Sequence, residues 1–172
     1  MKTIIAIPGS LRRDSINLEL LKFINEKSQN LINISITPQT DLDLPIFNQD
    51  NVIQSDLNLK LIEYKKLLNN SDGILISSPE YNGSISGALK NFIDWLSRDY
   101  NPFFGKKIGL MTVSTSSFGG IRSLMHLRDI MLHMGAFVYP GNICLSKNNA
   151  IYSEQQLNLI NDFSRNFFNF IS

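Results

Sequence analysis

The sequence predicts an α/β fold of three layers, in which helices cover both faces of a five-stranded parallel sheet of order 2-1-3-4-5. Short apolar runs alternate five times with longer stretches of helical periodicity. Strands that alternate with helices form parallel sheets covered on both faces, and five strands suit this doubly wound order. No internal repeat or linker interrupts the 172 residues, so a single domain over residues 1–172 is expected.

Elements in the first half of the chain are recognised by apolar runs and by apolar residues three or four positions apart. Ile4–Ile7 is a continuous apolar run, as in a strand buried on both faces. In order, the predicted elements are a strand over residues 2–8, a helix from Ser15 to about Gln29, an alternating edge strand over 31–37, a helix marked by Leu57, Leu61, Tyr64 and Leu68, and a strand over 73–77. The connection over residues 38–56 is long, and long connections often pack as lids.

The second half of the chain continues the alternation. In order, the predicted elements are a helix over residues 85–98 with Ser84 as its N-cap, a strand over 107–114, a helix marked by Leu124, Leu127, Met131 and Met134 and stopped at Gly135, a fifth strand within 136–145, and a last helix that begins at a capping box of Ser153 and Gln156.

Composition restricts the kind of partner. The formal net charge is +1, from 16 basic and 15 acidic residues, whereas a nucleic-acid-binding domain needs a basic face. The longest apolar runs have strand length, and the N-terminus lacks the apolar region of a signal peptide. The one cysteine, Cys144, lies in an apolar run and is interpreted as a small buried hydrophobic residue rather than a nucleophile. We therefore expect a cytoplasmic enzyme or binding domain with a small-molecule partner and without nucleic-acid or membrane partners.

Three loops of unusual composition are expected to meet at one crevice. In the order 2-1-3-4-5 the first and third strands are neighbours at the switch point, and the fourth lies beside the third. The first loop, residues 9–17, leads directly into a helix N-terminus, which favours an anion. Ser10, Ser15 and Asn17 can donate hydrogen bonds there, and Arg12 adds a charge-assisted one. A terminal monophosphate suits this loop; the alternative is an ordinary loop with Ser15 as N-cap and solvated arginines.

The second loop is the hexapeptide Pro79–Ser84, and the third covers residues 114–120. Tyr81 offers a flat face and Asn82 a hydrogen-bonding amide, which a planar heterocycle with polar edges would use. Glu80 alone is a weak candidate for a general acid or base, because no second carboxylate accompanies it at a recognisable spacing. The small residues of the third loop would let a ring edge approach the backbone, although alone it would be interpreted as a linker-like turn.

Taken together, the three loops resemble the NADPH-dependent FMN reductase family of flavodoxin-like proteins, which includes quinone, chromate and azo-dye reductases. The residues that carry the resemblance are Gly9-Ser10-Leu11-Arg12 with Ser15 and Asn17; Pro79–Ser84 with Gly87, Leu89-Lys90-Asn91, Asp94-Trp95 and Ser97-Arg98; and Gly119-Gly120, Arg122, Leu127-Arg128 and Gly135-Ala136. The chain departs from the family pattern at Pro8, where a small residue is usual and where one N–H near the phosphate is missing.

The resemblance implies a flavodoxin-like fold, bound FMN, and NADPH or NADH as co-substrate. Electrons would pass by ping-pong kinetics to a quinone, free flavin or similar small acceptor, in a homodimer or a dimer of dimers. The implied cofactor-binding residues are Ser10, Arg12, Ser15, Ile16, Asn17, Pro79, Glu80, Tyr81, Asn82, Ser114 and Ser116. Because the flavin carries the chemistry, no catalytic side chain and no metal site are predicted.

Several alternatives remain open at this point. An FMN-binding electron carrier without NAD(P)H turnover is one, although such carriers are usually strongly acidic. A flavin-binding regulatory module is another, and a hydrolase is disfavoured because no Gly-x-Ser-x-Gly elbow is present. Arg98 and Arg122 could steer the dinucleotide or form structural ion pairs. Trp95 could be buried or lie at a subunit contact, and His126 and His133 are interpreted as surface or subunit-contact residues rather than metal ligands.

Overall fold

A computed structural model describes residues 1–29, 31–50, 55–147 and 152–172 and confirms the predicted architecture. The sheet is parallel throughout and its strand order is β2-β1-β3-β4-β5, with a sixth strand also paired to β4. The strands are β1 (Thr3–Pro8), β2 (Asn33–Ile36), β3 (Gly73–Ser77), β4 (Lys107–Ser114), β5 (Phe137–Val138) and β6 (Ile143–Ser146). The helices are α1 (Ile16–Ser28), α2 (Ser55–Asn69), α3 (Gly87–Ser97), α4 (Ile121–His133) and α5 (Glu154–Ile171), and a 3₁₀ helix spans Gln39–Leu42.

The sheet separates two hydrophobic cores. Alternate residues of β1 point to opposite faces: Ile5 and Ile7 pack with α2, α3 and α4, whereas Ile4 and Ala6 pack with α1 and α5. β3 is buried along its whole length, as expected for a strand covered on both sides. Helix α1, which follows the first loop, therefore lies on one face of the sheet, and the helices that follow the other two loops lie on the opposite face.

The fifth predicted strand is divided into β5 and β6. Pro140 has no N–H to give to the ladder, and the Asn142 N–H turns back to the Pro140 carbonyl at 3.1 Å. The two short strands nevertheless both pair with β4, so the predicted position of the strand is correct and only its continuity was missed.

The third helix begins two residues later than predicted, and its N-cap is Ser86 rather than Ser84. Backbone hydrogen bonds between Tyr81 and Ser84 close the preceding residues into a turn, so they cannot join the helix. The Ser86 hydroxyl accepts from the Leu89 N–H at 3.1 Å and donates to the Gly9 carbonyl at 2.6 Å. One side chain thus begins α3 and ties it to the first loop. Gly135 (φ +74°) stops α4 as predicted, although the C-cap is the preceding residue, Met134, and the capping box of α5 is confirmed.

The strand register brings the three loops side by side. Pro8 aligns with Ser77, and Ser77 aligns with Met111, while β4 continues to Ser114. Gly9 allows a close approach at the start of the first loop, because a Cβ there would lie 2.8 Å from the Leu89 side chain and 3.1 Å from the Ser77 carbonyl. Within the described ranges, no helix combines the length and hydropathy needed to cross a bilayer.

Candidate functional site

A cleft at the carboxyl ends of β1, β3 and β4 gathers residues from all three loops. Its lining consists of Ser10, Arg12, Ser15, Ile16, Asn17, Pro79, Glu80, Tyr81, Val113, Ser114 and Thr115. Nine of the eleven predicted cofactor-binding residues are therefore brought together in one cleft, and Val113 and Thr115 join them. Asn82 and Ser116 lie outside this lining, each on an exposed part of its loop.

Asn17 lies at the bottom of the cleft, almost fully buried, and its amide is occupied by protein partners. Its Nδ2 donates to the Val113 carbonyl at 3.0 Å, and its Oδ1 accepts from the Val113 N–H at 3.0 Å and from the Ser77 hydroxyl at 2.9 Å. This pairing mimics a strand ladder and joins the start of α1 to the ends of β3 and β4. Asn17 therefore shapes the cleft, and its predicted contact with a phosphate stays a prediction.

The first loop presents hydroxyl groups and one guanidinium at the N-terminus of α1. Ser15 is the N-cap and accepts from the Leu18 N–H at 3.3 Å, as the alternative interpretation of this loop requires. The buried Ser10 accepts from the Arg12 N–H at 3.2 Å, and its hydroxyl lies 3.4 Å from the Tyr81 hydroxyl. Arg12 is exposed, and no carboxylate pairs with it in the part of the chain that the structure describes. The donor set suits an anion, because the helix dipole and the guanidinium both favour negative charge there.

The second loop is built around a tight turn at Asn82 and Gly83. Both have positive φ, 52° and 75°, as a type I′ turn requires, and Asn-Gly is the preferred pair for it. Tyr81 and Ser84 exchange backbone hydrogen bonds of 2.9 and 3.1 Å across the turn. The turn leaves Tyr81 43% exposed at the side of the cleft and carries Asn82 to the tip, away from the lining.

Glu80 acts as the cap of a helix from another part of the chain. One of its carboxylate oxygens accepts from the N–H groups of Arg122 and Ser123, at 2.9 and 3.2 Å, and the other lies 3.7 Å from the Arg122 guanidinium. These N–H groups begin α4, whose own N-cap is Gly120 and provides no side-chain bond. A carboxylate at a helix N-terminus is electrostatically favourable. The side chain of Glu80 is thus committed to structure, which removes it as a candidate acid or base.

Part of the second loop's backbone is also occupied. The Pro79 carbonyl accepts from the hydroxyls of Ser123 and Ser78, at 2.8 and 3.0 Å, and the Tyr81 N–H is used by the turn. The second loop is therefore held rigidly against α4 before any ligand contacts it.

The third loop has more structure than a linker-like turn. A Cβ on Gly119 (φ +60°) would lie 2.9 to 3.0 Å from the backbone of Cys144 and Leu145, so the glycine allows the loop to pack against β6. The Thr112 hydroxyl donates to the Gly119 carbonyl at 2.6 Å. Ser116 donates its N–H to the Ser114 hydroxyl at 3.2 Å. Phe118 is two-thirds exposed beside the Arg122 guanidinium, 5.9 Å from its ring centroid.

Other residues that the sequence singled out have structural partners. Trp95 is buried and donates its indole N–H to the Pro45 carbonyl at 2.7 Å, which supports its interpretation as a packed residue. Arg98 stacks over the Trp95 ring at 6.0 Å and lies near Asp99.

The cysteine and histidine side chains show no reactive or metal-binding arrangement among the described residues. Burial raises the pKa of the Cys144 thiol, which disfavours the thiolate. Nδ1 of His126 lies 3.0 Å from the Ser84 hydroxyl, and the described residues contain no cluster of three or more potential metal ligands.

One residue that stabilises the first loop belongs to none of the sequence motifs. Gln39, in the connection after β2, donates hydrogen bonds to the carbonyl oxygens of Ser10 and Arg12. A glutamine in a polar connection gives no sequence signal, and only the fold places it beside a loop 27 to 29 residues earlier in the chain.

Comparison with known proteins identifies similar sequences and a similar structure. A model of the NADPH-dependent FMN reductase family matches residues 2–150. A probable NADPH:quinone oxidoreductase 2 of Oryza sativa is 36% identical over 126 residues, which make up 73% of this chain and 62% of that protein. A quinone reductase of Escherichia coli is 31% identical over 136 residues, 78% of this chain and 72% of that protein.

Among solved structures, a flavoenzyme NAD(P)H:(acceptor) oxidoreductase from Paracoccus denitrificans superposes with a TM-score of 0.88. The two are 26% identical, and the match covers 99% of this chain and 97% of the other. Similarity to that structure therefore extends over nearly the whole of both chains, whereas the match to the rice protein spans less than two thirds of that protein's length.

Proposed function

The chain belongs to the NADPH-dependent FMN reductase family, and from that membership we propose that it binds FMN in the cleft and transfers electrons from NAD(P)H to a small acceptor such as a quinone or free flavin. The observation that carries the proposal is the convergence of three loops, with their hydroxyl, guanidinium and aromatic groups, on one cleft at a helix N-terminus. Ligands of open α/β sheets bind at this switch point.

Different residues of the cleft are proposed to bind the phosphate and the ring of the cofactor. Ser10, Arg12 and the N-terminus of α1, capped by Ser15, provide the donors for a terminal phosphate. Tyr81 on one side and Ser114 on the other provide walls for a planar ring. When bound, FMN supplies the redox chemistry between the nicotinamide and the acceptor. The protein's part is to bind and orient, which agrees with the commitment of Glu80 and Asn17 to structural hydrogen bonds.

The main competing function is that of an FMN-binding electron carrier that does not react with NAD(P)H. Carriers of this kind are usually strongly acidic, whereas this chain has a formal net charge of +1. The names of the relatives, a quinone reductase and a quinone oxidoreductase, also favour the reductase.

The visible absorbance spectrum tests the proposal in two stages. Protein incubated with FMN and freed of excess ligand is expected to retain flavin absorbance, and a spectrum without flavin would eliminate the proposed function. Anaerobic addition of NADPH or NADH is then expected to bleach the flavin, and a quinone is expected to restore it. Flavin that binds but stays oxidised would identify the carrier instead.

We further propose that the protein acts as a homodimer or a dimer of dimers in the cytoplasm. The outer face of α4 exposes Ile121, Met125 and Leu132, each 41 to 49% accessible, close to the exposed Phe118. A row of apolar side chains on one helix face suits a second copy of the chain. Sedimentation velocity is expected to give a multiple of the 19.5 kDa chain mass, and a monomer would contradict the proposal. Subcellular fractionation tests the location.

A further inference from the structure

The side-chain amide of Gln39 closes the first loop from outside the cleft. Gln39 is half-buried at the start of the 3₁₀ helix, and its Nε2 donates to the carbonyl oxygens of Ser10, at 2.6 Å, and Arg12, at 2.7 Å. Both hydrogens of one amide nitrogen are used, so the two carbonyls are held toward the same point. Gln39 itself does not line the cleft, so these carbonyl oxygens are directed away from it.

The direction of these carbonyls matters for an anion. A carbonyl oxygen carries partial negative charge and would repel a phosphate, whereas the N–H groups at the start of a helix attract one. The loop between β1 and α1 contains glycine and serine and could adopt other backbone conformations. A double donor outside the cleft selects the conformation that turns two acceptors away from the anion.

The connection that carries Gln39 is itself anchored at several points. Asp41 forms an ion pair with Lys60 at 2.8 Å and accepts a hydrogen bond from the Tyr64 hydroxyl. The Asn91 amide donates to the carbonyls of Leu44 and Pro45 and accepts from the Phe47 N–H, at 2.8 to 3.1 Å. These contacts fix the connection to α2 and α3. Gln39 is thus presented from a rigid support, and a positioning residue needs one.

We propose that Gln39 is a positioning residue for the phosphate of the bound cofactor: it acts through the Ser10 and Arg12 carbonyls and does not touch the cofactor. The inference rests on the proposed function, because it names how that same site distinguishes a phosphorylated flavin from an unphosphorylated one.

The test compares FMN with riboflavin, which has the same ring and lacks the phosphate. In the Gln39→Leu variant both donors are lost while the side chain keeps a similar size. FMN affinity is expected to fall about tenfold, because the loop loses two hydrogen bonds, each worth about 1 kcal/mol, that favour its binding conformation, while riboflavin affinity stays unchanged. Gln39→Glu places a carboxylate against the two carbonyls and is expected to weaken FMN binding at least as much. Quenching of flavin fluorescence gives both dissociation constants.

The control is Gln49→Leu, the same substitution at an exposed site of the same connection, which is expected to change neither constant. The ratio of the two constants is decisive, since a merely structural role would weaken both flavins by the same factor. If the Gln39 variants lose affinity for both flavins by the same factor, or lose no affinity for FMN, the inference is overturned while the proposed function stays intact. A wild-type protein that binds no flavin would overturn the proposed function and the inference with it.

Discussion

Replacing Asn17 with aspartate is expected to lower the free energy of unfolding by about 3 kcal/mol at neutral pH and by much less near pH 4. The reason is the set of partners around the buried amide. Oδ1 accepts two hydrogen bonds, which a carboxylate would also accept, but Nδ2 donates to the Val113 carbonyl. The introduced carboxylate, when ionised, would direct a charged oxygen at that carbonyl in a site only 1% exposed, whereas the protonated acid could donate to it as the amide does.

The pH dependence follows from linkage. Burial and the Val113 carbonyl disfavour the charged form, so the pKa of the introduced carboxyl group would be higher in the folded state than the unfolded value of about 3.9. A group with a raised folded pKa binds its proton more tightly in the native state. The variant is therefore expected to approach wild-type stability below the unfolded pKa, and to lose that stability as the pH rises through the folded pKa.

Urea unfolding at several pH values, followed by the fluorescence of the single buried tryptophan, Trp95, measures the difference from wild type. Asn17→Leu serves as the comparison, because it leaves the Val113 N–H and carbonyl unpaired at every pH. Its loss of stability relative to wild type should therefore vary little with pH. Asn158→Asp, at an exposed position of α5, should be close to wild type throughout. A deficit for Asn17→Asp that does not shrink on acidification would show that the amide's donor role has been misassigned.

Replacing Arg12 with alanine is expected to weaken FMN binding by about 10- to 100-fold, or about 1.5 to 3 kcal/mol, the range for a hydrogen bond to a charged group. Arg12 lines the cleft and is exposed, so its loss should leave the unfolding free energy nearly unchanged. The effect should decrease at high salt, because an exposed charge is screened. Fluorescence titration with FMN measures the affinity.

Arg13→Ala is the matched control for this effect. Arg13 is the adjacent arginine, is exposed, and lies outside the lining of the cleft. It removes the same charge from the same loop, so a general electrostatic effect would appear in both variants. Equal losses of FMN affinity in the two variants, or no loss of FMN affinity in Arg12→Ala, would remove Arg12 from the phosphate end of the cleft.

The parts of this molecule that could be predicted are those that local pattern determines. The spacing of apolar residues indicates the alternation of strands and helices, and the parallel strand order then places the loops after the first, third and fourth strands together. The division of the fifth strand was missed because Pro140 acts on hydrogen bonding, not on hydropathy. The start of α3 was misplaced because Ser84 and Ser86 are both acceptable caps, and only the turn over residues 81–84 decides between them.

Roles that depend on a partner distant in sequence could not be predicted. Asn17 bonds to Val113, 96 positions away, and Glu80 caps a helix that begins more than 40 positions later. In both cases the residue type allows several uses, and the fold selects one. The sequence therefore indicated which loops form the cleft, whereas it did not distinguish side chains that face the ligand from those that hold the loops in place.

The bond between Glu80 and the start of α4 limits how this cleft could be remodelled. The hexapeptide Pro79–Ser84 carries this carboxylate, and the loop over residues 114–120 leads directly into the helix whose first N–H groups donate to it. These two walls are therefore not independent modules. A chimera that grafts the third loop of a relative, in order to exchange acceptor preference, must deliver its first helical N–H groups to the same carboxylate, or the unpaired charge will shift the other wall as well.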